Sequence, residues 1–440
     1  MTTPIFDFVK GYAESKSSRF HMPGHKGVGE LGVEAFDITE ISGADVLYSA
    51  DGIIGESENN LSTLYGTGHS FYSTEGSTLA IKAMLALVSL RVSGDRPLIL
   101  AARNVHTAFI KAAALLDLDV EFIYPEREGH LCECRITPDD VREAVLSARK
   151  KPRAVYITSP DYLGNTLDVG GIAEVCRENS IPLLVDNAHG AYLKFLPEDR
   201  HPITLGAAMC ADSAHKTLPV LTGGAYLHIS KDYPEYISEA RGALSLFAST
   251  SPSYLTLCSL DLCNKRLSLD YPEKIADLAN KSKDIKEKIA SLGLEVCDGE
   301  PLKIVIKEGT PLSDHLREAK IEVEFSDADY TVLMLTPENT DGDLDRLLSA
   351  LSTYKKTEKG RAPLSVKPHE RVISIREAVL APSETVSVEN SAGRICASPT
   401  VSCPPAVPIV ISGERITDED VDIFRYYGIN SVRIVKTDSF

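Results

Sequence analysis

The sequence predicts an α/β fold whose largest domain carries a mainly parallel, seven-stranded sheet. Short apolar runs recur along the first half of the chain, and each has the length of a buried strand. Helical patterns separate several of these runs, an alternation that is typical of a sheet covered by helices on both faces. The predicted strands are residues 70–74, 97–101, 120–124, 153–158, 182–186, 209–213 and 225–229.

The helices between these strands are predicted from composition and from capping residues. Residues 77–92 and 108–116 are rich in Ala, Leu and Ile. Residues 138–149 follow Thr137, a residue type favoured at helix N-caps, and place Pro138 in the first turn. Ligands of such sheets bind at the carboxyl ends of the strands, so the residues that follow the strands are the candidates for a functional site.

The second half of the chain predicts smaller domains. A Lys-rich amphipathic helix at 270–292 precedes strands at 302–306 and 331–335 and helices at 312–319 and 341–351. A polar linker at 355–368 leads to a C-terminal module with a Pro-rich segment at 403–408. We therefore predict an N-terminal arm (1–60), a large domain (61–260), a small α+β domain (261–360) and a C-terminal domain (361–440).

Composition excludes several classes of partner. The net charge of −17 and the lack of basic blocks argue against nucleic acid, and no apolar run reaches the roughly 18 residues of a membrane span. The N-terminal segment lacks the apolar core of a signal peptide, so the cytoplasm is the expected compartment. Nine cysteines without a C-x-x-C pair predict reduced thiols, with neither a disulfide framework nor a metal site.

The turn after the sixth predicted strand contains Ser213-x-His215-Lys216. A lysine at a strand end, beside a hydroxyl and an imidazole, is what a Schiff base with pyridoxal phosphate (PLP) requires. A free lysine titrates at about 10.4, so its amine needs a cationic or desolvated setting, which His215 and the apolar residues 218–221 would supply. A His-Lys pair by itself is usually part of a solvated loop, and the prediction therefore depends on the other strand ends.

Two other strand ends carry groups that suit this cofactor. Gly76, Ser77 and Thr78 open a helix directly after the first strand, where hydroxyls and N–H groups form a phosphate site. A plain Ser/Thr N-cap is the alternative. Asp186 ends the fifth strand and could pair with a protonated pyridine nitrogen, although a cap or turn aspartate fits the sequence equally well.

His106 and Tyr162 follow the second and fourth predicted strands. An imidazole at position 106 could lie flat on a heteroaromatic ring. Tyr162 lies in a segment whose Pro and Gly residues predict a turn under any interpretation. Neither residue by itself indicates a function. They become informative through the order in which they and the other strand-end residues occur along the chain.

That order resembles the Orn/Lys/Arg decarboxylase family, PLP enzymes of the aspartate-aminotransferase fold (fold type I). The matching motifs are Gly76-Ser77-Thr78, Arg103-Asn104-x-His106, Thr158-Ser159-Pro160, Asp186-x-Ala188-His189-Gly190 and Ser213-x-His215-Lys216. Further similar segments lie at residues 21–27, 249–254, 381–385, 404–408 and 413–416, so that the resemblance covers nearly the whole chain. The resemblance is to the short form of the family, which lacks the N-terminal wing domain.

The resemblance implies roles for the matching residues. Lys216 would form the Schiff base, Asp186 would contact the pyridine nitrogen and His106 would stack on the ring, with His215 as a further catalytic group. The other implied cofactor contacts are Gly76, Ser77, Thr78, Ala188, His189, Ser213 and His215, of which Ser77, Thr78, Ser213 and His215 would surround the phosphate. The active unit in this family is a dimer with its site near the subunit interface, so a homodimer or higher homo-oligomer is expected.

The implied reaction is decarboxylation of a basic amino acid (arginine, lysine or ornithine) to the amine and carbon dioxide, feeding polyamine metabolism. Asp161 stands where the family usually has Thr. With Asp45 and Tyr162, Asp161 is a candidate for binding the substrate's distal cation, because a buried carboxylate rejects neutral side chains. A solvated loop carboxylate is the alternative for each acid.

Three alternatives stay open. Another fold type I enzyme, an aminotransferase or a β-eliminating lyase, would use the same lysine and aspartate. A catalytically inactive PLP-binding homologue is suggested only by the departures from the family pattern at Glu75, Thr107 and Asp161. The third alternative is an α/β module that binds no PLP.

Overall fold

A computed structural model of the chain describes residues 1–90, 96–125, 134–356, 367–402 and 408–436. Most of the predicted linker (357–366), the Pro-rich segment at 403–407 and the cysteines Cys132 and Cys403 lie outside the described residues. Within the described ranges, no helix is both long and apolar enough to cross a membrane.

All seven predicted strands form, and they make one seven-stranded sheet. They are β1 (His69–Ser73), β2 (Leu98–Ala102), β3 (Asp119–Ile123), β4 (Ala154–Thr158), β5 (Leu183–Asp186), β6 (Met209–Asp212) and β7 (Ala225–Ile229), in the order β1-β7-β6-β5-β4-β2-β3. β7 is antiparallel to its neighbours β1 and β6, whereas β2 is parallel to β3 and β4, and β5 is parallel to β6. The predicted fold class is confirmed.

The burial of the strands explains the apolar runs that predicted them. Every residue of β2 and of β7 is buried, as expected for strands covered on both faces. β3 lies at the edge of the sheet and leaves Asp119 and Glu121 partly exposed, where both pair with Arg149. Charged side chains on an edge strand discourage pairing with other chains.

Helices connect the strands of the large sheet and make up much of the remaining described chain. They are α1 (Pro4–Glu14), α2 (Ile53–Tyr65), α3 (Gly76–Ser89), α4 (Thr107–Leu115), α5 (Pro138–Ser147), α6 (Val169–Glu178), α7 (Ala214–Thr217), α8 (Pro234–Ser245), α9 (Tyr254–Leu267), α10 (Tyr271–Ser291), α11 (Thr310–Glu318), α12 (Asp341–Thr353), α13 (Ile375–Leu380) and α14 (Asp418–Tyr426). Thr137 caps α5 in a capping box with Asp140, which confirms the predicted helix start.

The chain divides into two compact units, a first unit of residues 1–88 and 184–276 and a second unit of residues 89–183 and 277–440. In the first unit, α1 packs on α2 and α9. Asp261 of α9 accepts the backbone N–H groups of Ile5 and Phe6, both at 3.0 Å, and so caps the start of α1. The boundaries predicted for the four regions stay a prediction.

The second unit contains three small antiparallel sheets besides its share of the large one. Their strands are β8 (Lys303–Ile306), β9 (Phe325–Ser326), β10 (Thr331–Met334), β11 (Ser383–Ser387), β12 (Thr400–Ser402), β13 (Pro408–Ile411) and β14 (Ser431–Val435), paired β8-β10-β9, β11-β14 and β12-β13. Val305 and Val332 of the first small sheet share a hydrophobic core with Val410, Phe424 and Ile434. The predicted α+β and C-terminal segments therefore pack together.

The seven described cysteines form no disulfide with one another, and all but Cys297 are buried. Burial raises the pKa of the Cys176 thiol and of the Cys258 thiol to about 12. Thiols with such a pKa stay protonated at neutral pH and react poorly.

Candidate active site

The lysine predicted to hold the cofactor lies in the turn between β6 and β7. β6 ends at Asp212, and Ser213 precedes the short helix α7, which carries Lys216. The Lys216 side chain is half-buried, and its Nζ atom lies 3.0 Å from Nε2 of His189. An imidazole at this distance can exchange a proton with the amine.

The neighbour of the amine is therefore His189, and the adjacent His215 is held elsewhere. Nδ1 of His215 lies 2.9 Å from the carbonyl oxygen of Gly224, and its backbone N–H donates to the same oxygen at 3.1 Å. Nδ1 must carry the proton to donate to a carbonyl, which fixes the tautomer of a neutral ring. The sequence named both histidines but not which one contacts the lysine.

The predicted phosphate site lies at the N-terminus of α3. The helix starts at Gly76, whose φ of +72° is one that glycine adopts without strain. Ser77 is buried, and its Oγ accepts a hydrogen bond of 2.8 Å from Oγ of Ser213. Thr78 follows in the same first turn. The turn after β1 and the lysine turn are thereby joined, with hydroxyls beside the N–H groups of a helix start.

Glu75, one of the departures from the family pattern, has a structural partner. Its Oε1 accepts the backbone N–H of Ser249 at 2.7 Å, which ties the segment at 249–254 to the turn that precedes α3. Nothing in the sequence pattern indicates this contact. A carboxylate at position 75 is thus accounted for without a catalytic role.

Asp186 ends β5 and is only 2% exposed. Its Oδ1 accepts the backbone N–H of Ala188 at 3.2 Å, and the N–H of Asn187 donates to the carbonyl oxygen of Ala211 in β6 at 2.9 Å. The turn that follows the aspartate is thus fastened to the neighbouring strand. A buried carboxylate at a strand end suits a cationic partner, because burial strengthens a charge-assisted hydrogen bond.

His106 and Arg103 belong to the second unit. His106 is the N-cap of α4, and its Nδ1 accepts the N–H of Ala108 at 3.1 Å. Arg103 is buried and makes two hydrogen bonds, of 2.9 and 3.0 Å, to the two carboxylate oxygens of Glu414. A third bond, of 3.0 Å, joins Arg103 to the carbonyl oxygen of Ile409. The segment before His106 is thereby held by residues from the C-terminal part of the chain.

Asp161 and Tyr162 also lie in the second unit, and the structure gives both local partners. The two carboxylate oxygens of Asp161 accept the backbone N–H and the side-chain amide of Asn165, at 2.9 and 2.8 Å. Tyr162 donates its hydroxyl to Glu324 at 2.7 Å. Asp161 is buried rather than a solvated loop acid, and its substrate role stays a prediction.

Asp45 caps a helix in the first unit. Its Oδ2 accepts the N–H groups of Gly52 and Ile54, both at 2.9 Å, at the start of α2, and its Oδ1 accepts that of Val46 at 2.8 Å. A carboxylate stabilises a helix N-terminus in this position. These bonds supply a structural reason for Asp45, and its predicted contact with a substrate cation is untested.

The residues of the first unit fit PLP by their chemistry. The cofactor presents an aldehyde, a phosphate and a pyridine nitrogen, which call for an amine, an anion site and a carboxylate. Lys216, the first turn of α3 and the buried Asp186 supply these three groups. A Cβ at Gly76 would meet no atom within 4 Å, so the space beside the anion site is open.

Comparison with known proteins identifies two matching family models. The model for the Orn/Lys/Arg decarboxylase major domain matches residues 3–310, and the model for the C-terminal domain of the same family matches residues 362–433. The chain is 30% identical to an arginine decarboxylase of Bacillus subtilis, over 95% of this chain and 92% of that protein. It is 29% identical to an arginine decarboxylase of Halalkalibacterium halodurans, over 96% and 93% of the two chains.

Among solved structures, the fold is similar to that of a lysine decarboxylase from Francisella novicida. The TM-score is 0.81 at 17% sequence identity, and the match covers 99% of this chain and 81% of that one. At this identity the similarity establishes the fold, PLP fold type I, and nothing about the substrate.

Proposed function

The chain belongs to the Orn/Lys/Arg decarboxylase family, and from this premise we propose that it removes the α-carboxylate of a basic amino acid with PLP held on Lys216. Family membership makes the protein a PLP-dependent amino acid decarboxylase. The choice of a basic substrate and the roles of individual residues are the proposal. The observation that carries it is the half-buried Lys216 amine, 3.0 Å from a histidine.

Besides Lys216, the first unit would hold the cofactor at its phosphate and at its pyridine nitrogen. Ser77, Thr78 and Ser213 would bind the phosphate at the start of α3, where the helix dipole favours an anion. Asp186 would bind the pyridine nitrogen, and the negative charge of this buried carboxylate would keep that nitrogen protonated. His106 would lie against the ring, a role that only the family resemblance supports.

When bound, PLP supplies an electron sink for the electron pair of the bond to the departing carboxylate. Lys216 supplies the amine that holds the cofactor aldehyde and that a substrate amine replaces. Once replaced, the Lys216 amine and His189 can hold a proton between Nζ and Nε2 and deliver it to the substrate carbon after carbon dioxide leaves. His215 is less suited to this transfer, because its Nδ1 faces a backbone carbonyl.

The basic side chain of the substrate is supported by the names of the two relatives reported above, both arginine decarboxylases, and to a smaller degree by the net charge of −17. Asp161, Asp45 and Tyr162 remain the predicted contacts of the distal cation. Their local hydrogen bonds make it necessary to test them by substitution. Asp161→Ala and Asp45→Ala should raise the Michaelis constant for the basic substrate with a smaller effect on kcat.

A homodimer, a place in polyamine synthesis and a cytoplasmic location complete the proposal. Each follows from the family resemblance or from the composition. Sedimentation of the purified protein tests the first of these directly.

The decisive experiment measures carbon dioxide release from arginine, lysine, ornithine and a set of neutral and acidic amino acids by the PLP-loaded protein. We expect release from at least one basic amino acid, with none by Lys216→Ala and normal release by Lys231→Ala, which removes an exposed lysine of the same unit. Keto-acid formation in place of carbon dioxide would indicate an aminotransferase. Binding of PLP without turnover of any amino acid would indicate an inactive homologue, and either result would overturn the proposal.

A further inference from the structure

A fully buried polar cluster lies in the first unit beneath the turns that carry Asp186 and Lys216. It consists of His201, Cys210, Asp212 and His228, each with an exposed fraction of 0%. None of these four residues belongs to the proposed cofactor contacts. Burying a carboxylate and two imidazoles in a core is costly unless they are paired and hydrogen-bonded, so the cluster calls for a reason.

Asp212 is the centre of the cluster. Its Oδ2 lies 3.0 Å from Nε2 of His201 and 3.4 Å from Nε2 of His228. Its Oδ1 accepts the side-chain amide N–H of Asn187 at 2.8 Å and lies 3.6 Å from the thiol sulfur of Cys210. Both oxygens therefore have partners, and one partner, Asn187, comes from the turn after β5.

These partners keep Asp212 ionised. Burial by itself would raise the pKa of the carboxyl, but His201 and His228 outweigh burial and hold the pKa well below its ordinary value. Burial lowers the pKa of His228, which favours its neutral form. The acceptor that faces Asn187 is thus a charged oxygen, which makes the hydrogen bond stronger than one between neutral groups.

Asn187 lies between two residues of the proposed site, Asp186 and His189. It directly follows Asp186, and its carbonyl oxygen accepts the N–H of Gly190, which closes the turn that presents His189 to Lys216. Asp212 directly precedes Ser213, which bonds Ser77 and begins the lysine turn. The bond between Asn187 and Asp212 therefore joins the ends of β5 and β6 at the point where each strand gives way to its functional turn.

We infer that Asn187 and Asp212 are positioning residues of the decarboxylase, which set the placement of Asp186 and His189 relative to Lys216. The backbone bond from Asn187 to Ala211 holds the turn to β6 at one point. The side-chain bond from Asn187 to Asp212 holds it at another, and two such points fix the orientation of the turn. The inference rests on the proposed function of Lys216 and Asp186.

A metal site is the competing explanation for the cluster. Ligand atoms of His201, Cys210 and Asp212 lie within 4.8 Å of one another. Hydrogen bonds already engage both oxygens of Asp212, however, and the amide of Asn187 is a donor that a metal cannot use. The arrangement is accounted for by hydrogen bonding, and metal analysis of the purified protein distinguishes the two explanations.

The test compares Asn187→Leu with Asn264→Leu. Asn264 is a second fully buried asparagine of the first unit, and its amide donates to Tyr72 at 2.7 Å and to the carbonyl oxygen of Ser57 at 3.0 Å, in a separate network. Each variant removes one buried amide, so both should lower the melting temperature of the cofactor-free protein. If the Leu side chain at position 187 prevents folding, Asn187→Ser replaces it, because the serine hydroxyl is too short to reach Asp212.

The first readout is the dissociation constant of PLP, measured by titrating cofactor-free protein and following absorbance. The second is the pH titration of the absorbance of bound PLP. For Asn187→Leu we expect the dissociation constant to rise roughly 10- to 100-fold, the range for losing one hydrogen bond to a buried charge, and the titration to shift. Asn264→Leu should change the dissociation constant less than about threefold and leave the titration in place.

Equal effects of the two variants on PLP binding would overturn the inference and leave the cluster a purely structural feature. One equivalent of a transition metal in the wild type, lost in Asp212→Asn, would also overturn it. Neither readout needs a substrate. Binding of PLP to the wild type without turnover of any amino acid would therefore contradict the proposed function. It would leave the positioning role of Asn187 to be decided by the two PLP-binding readouts.

Discussion

Glu414→Gln removes the charge that the buried Arg103 contacts and keeps the volume of the side chain. The pair makes two hydrogen bonds of 2.9 and 3.0 Å, and the two side chains are only 4% and 3% exposed. Burial by itself would lower the pKa of Arg103, but in the wild type Glu414 outweighs burial and the pKa lies above its ordinary value. An arginine side chain is not deprotonated in a protein, so the guanidinium stays charged when Glu414 is replaced. Glu414 also accepts the N–H of Ile411 at 2.9 Å, a bond that a glutamine can retain.

The expected loss follows from leaving a buried charge without its partner. Breaking such a pair costs about 3–5 kcal/mol. For a unit of this size, about 2–4 °C of melting temperature corresponds to 1 kcal/mol, so the cofactor-free protein should melt roughly 10 °C lower. Cofactor-free protein is the right sample, because a bound ligand adds its own stabilisation. Since Arg103 lies three residues before His106, PLP should also bind more weakly.

Glu384→Gln is the matched control. It breaks the pair between Glu384 and Arg394, which has a similar length of 3.0 Å but side chains that are 43% and 32% exposed. Solvent screening limits such a pair to below about 1 kcal/mol, a shift of at most a few degrees. Differential scanning calorimetry on both variants measures the difference. Equal shifts for the two variants would refute the argument that burial makes the Arg103–Glu414 pair important.

Three further predictions concern the first unit. Borohydride treatment of the PLP-loaded protein should fix the cofactor to Lys216, and peptide mapping that finds the label on another lysine would contradict the assignment. Asp186→Asn should retain the fold but lower turnover by on the order of 10³, since an amide cannot hold a cationic nitrogen; near-normal kcat would remove the aspartate from the site. Burial raises the pKa of Asp261 to about 6, although the N–H groups of Ile5 and Phe6 oppose the shift. Because the folded-state pKa lies above the unfolded value of about 3.9, this carboxyl's contribution to stability is full below about pH 4 and is lost as the pH rises through 6, a change of about 3 kcal/mol. Urea unfolding of cofactor-free protein should show this slope in the wild type and not in Asp261→Asn.

The sequence by itself determined the features that depend on short stretches of chain. All seven strands of the large sheet were predicted because each contains a short run of apolar residues, as expected for strands that are largely buried. The start of α5 at Thr137 was predicted because a cap is a local hydrogen bond. The position of Lys216 after β6 could be predicted for the same reason, since Ser213, His215 and Lys216 lie within four residues of one another in the sequence.

Only the tertiary structure decided which groups meet across the sequence. It placed His189, not His215, beside the Lys216 amine, because the imidazole of His215 is held by the carbonyl of Gly224. It brought Asn187 to Asp212 and Arg103 to Glu414, pairs that no periodicity or spacing indicates. Residues far apart along the chain meet only once strand order and packing are set, and the hydrogen bonds of a buried polar group depend on that packing rather than on its sequence neighbours.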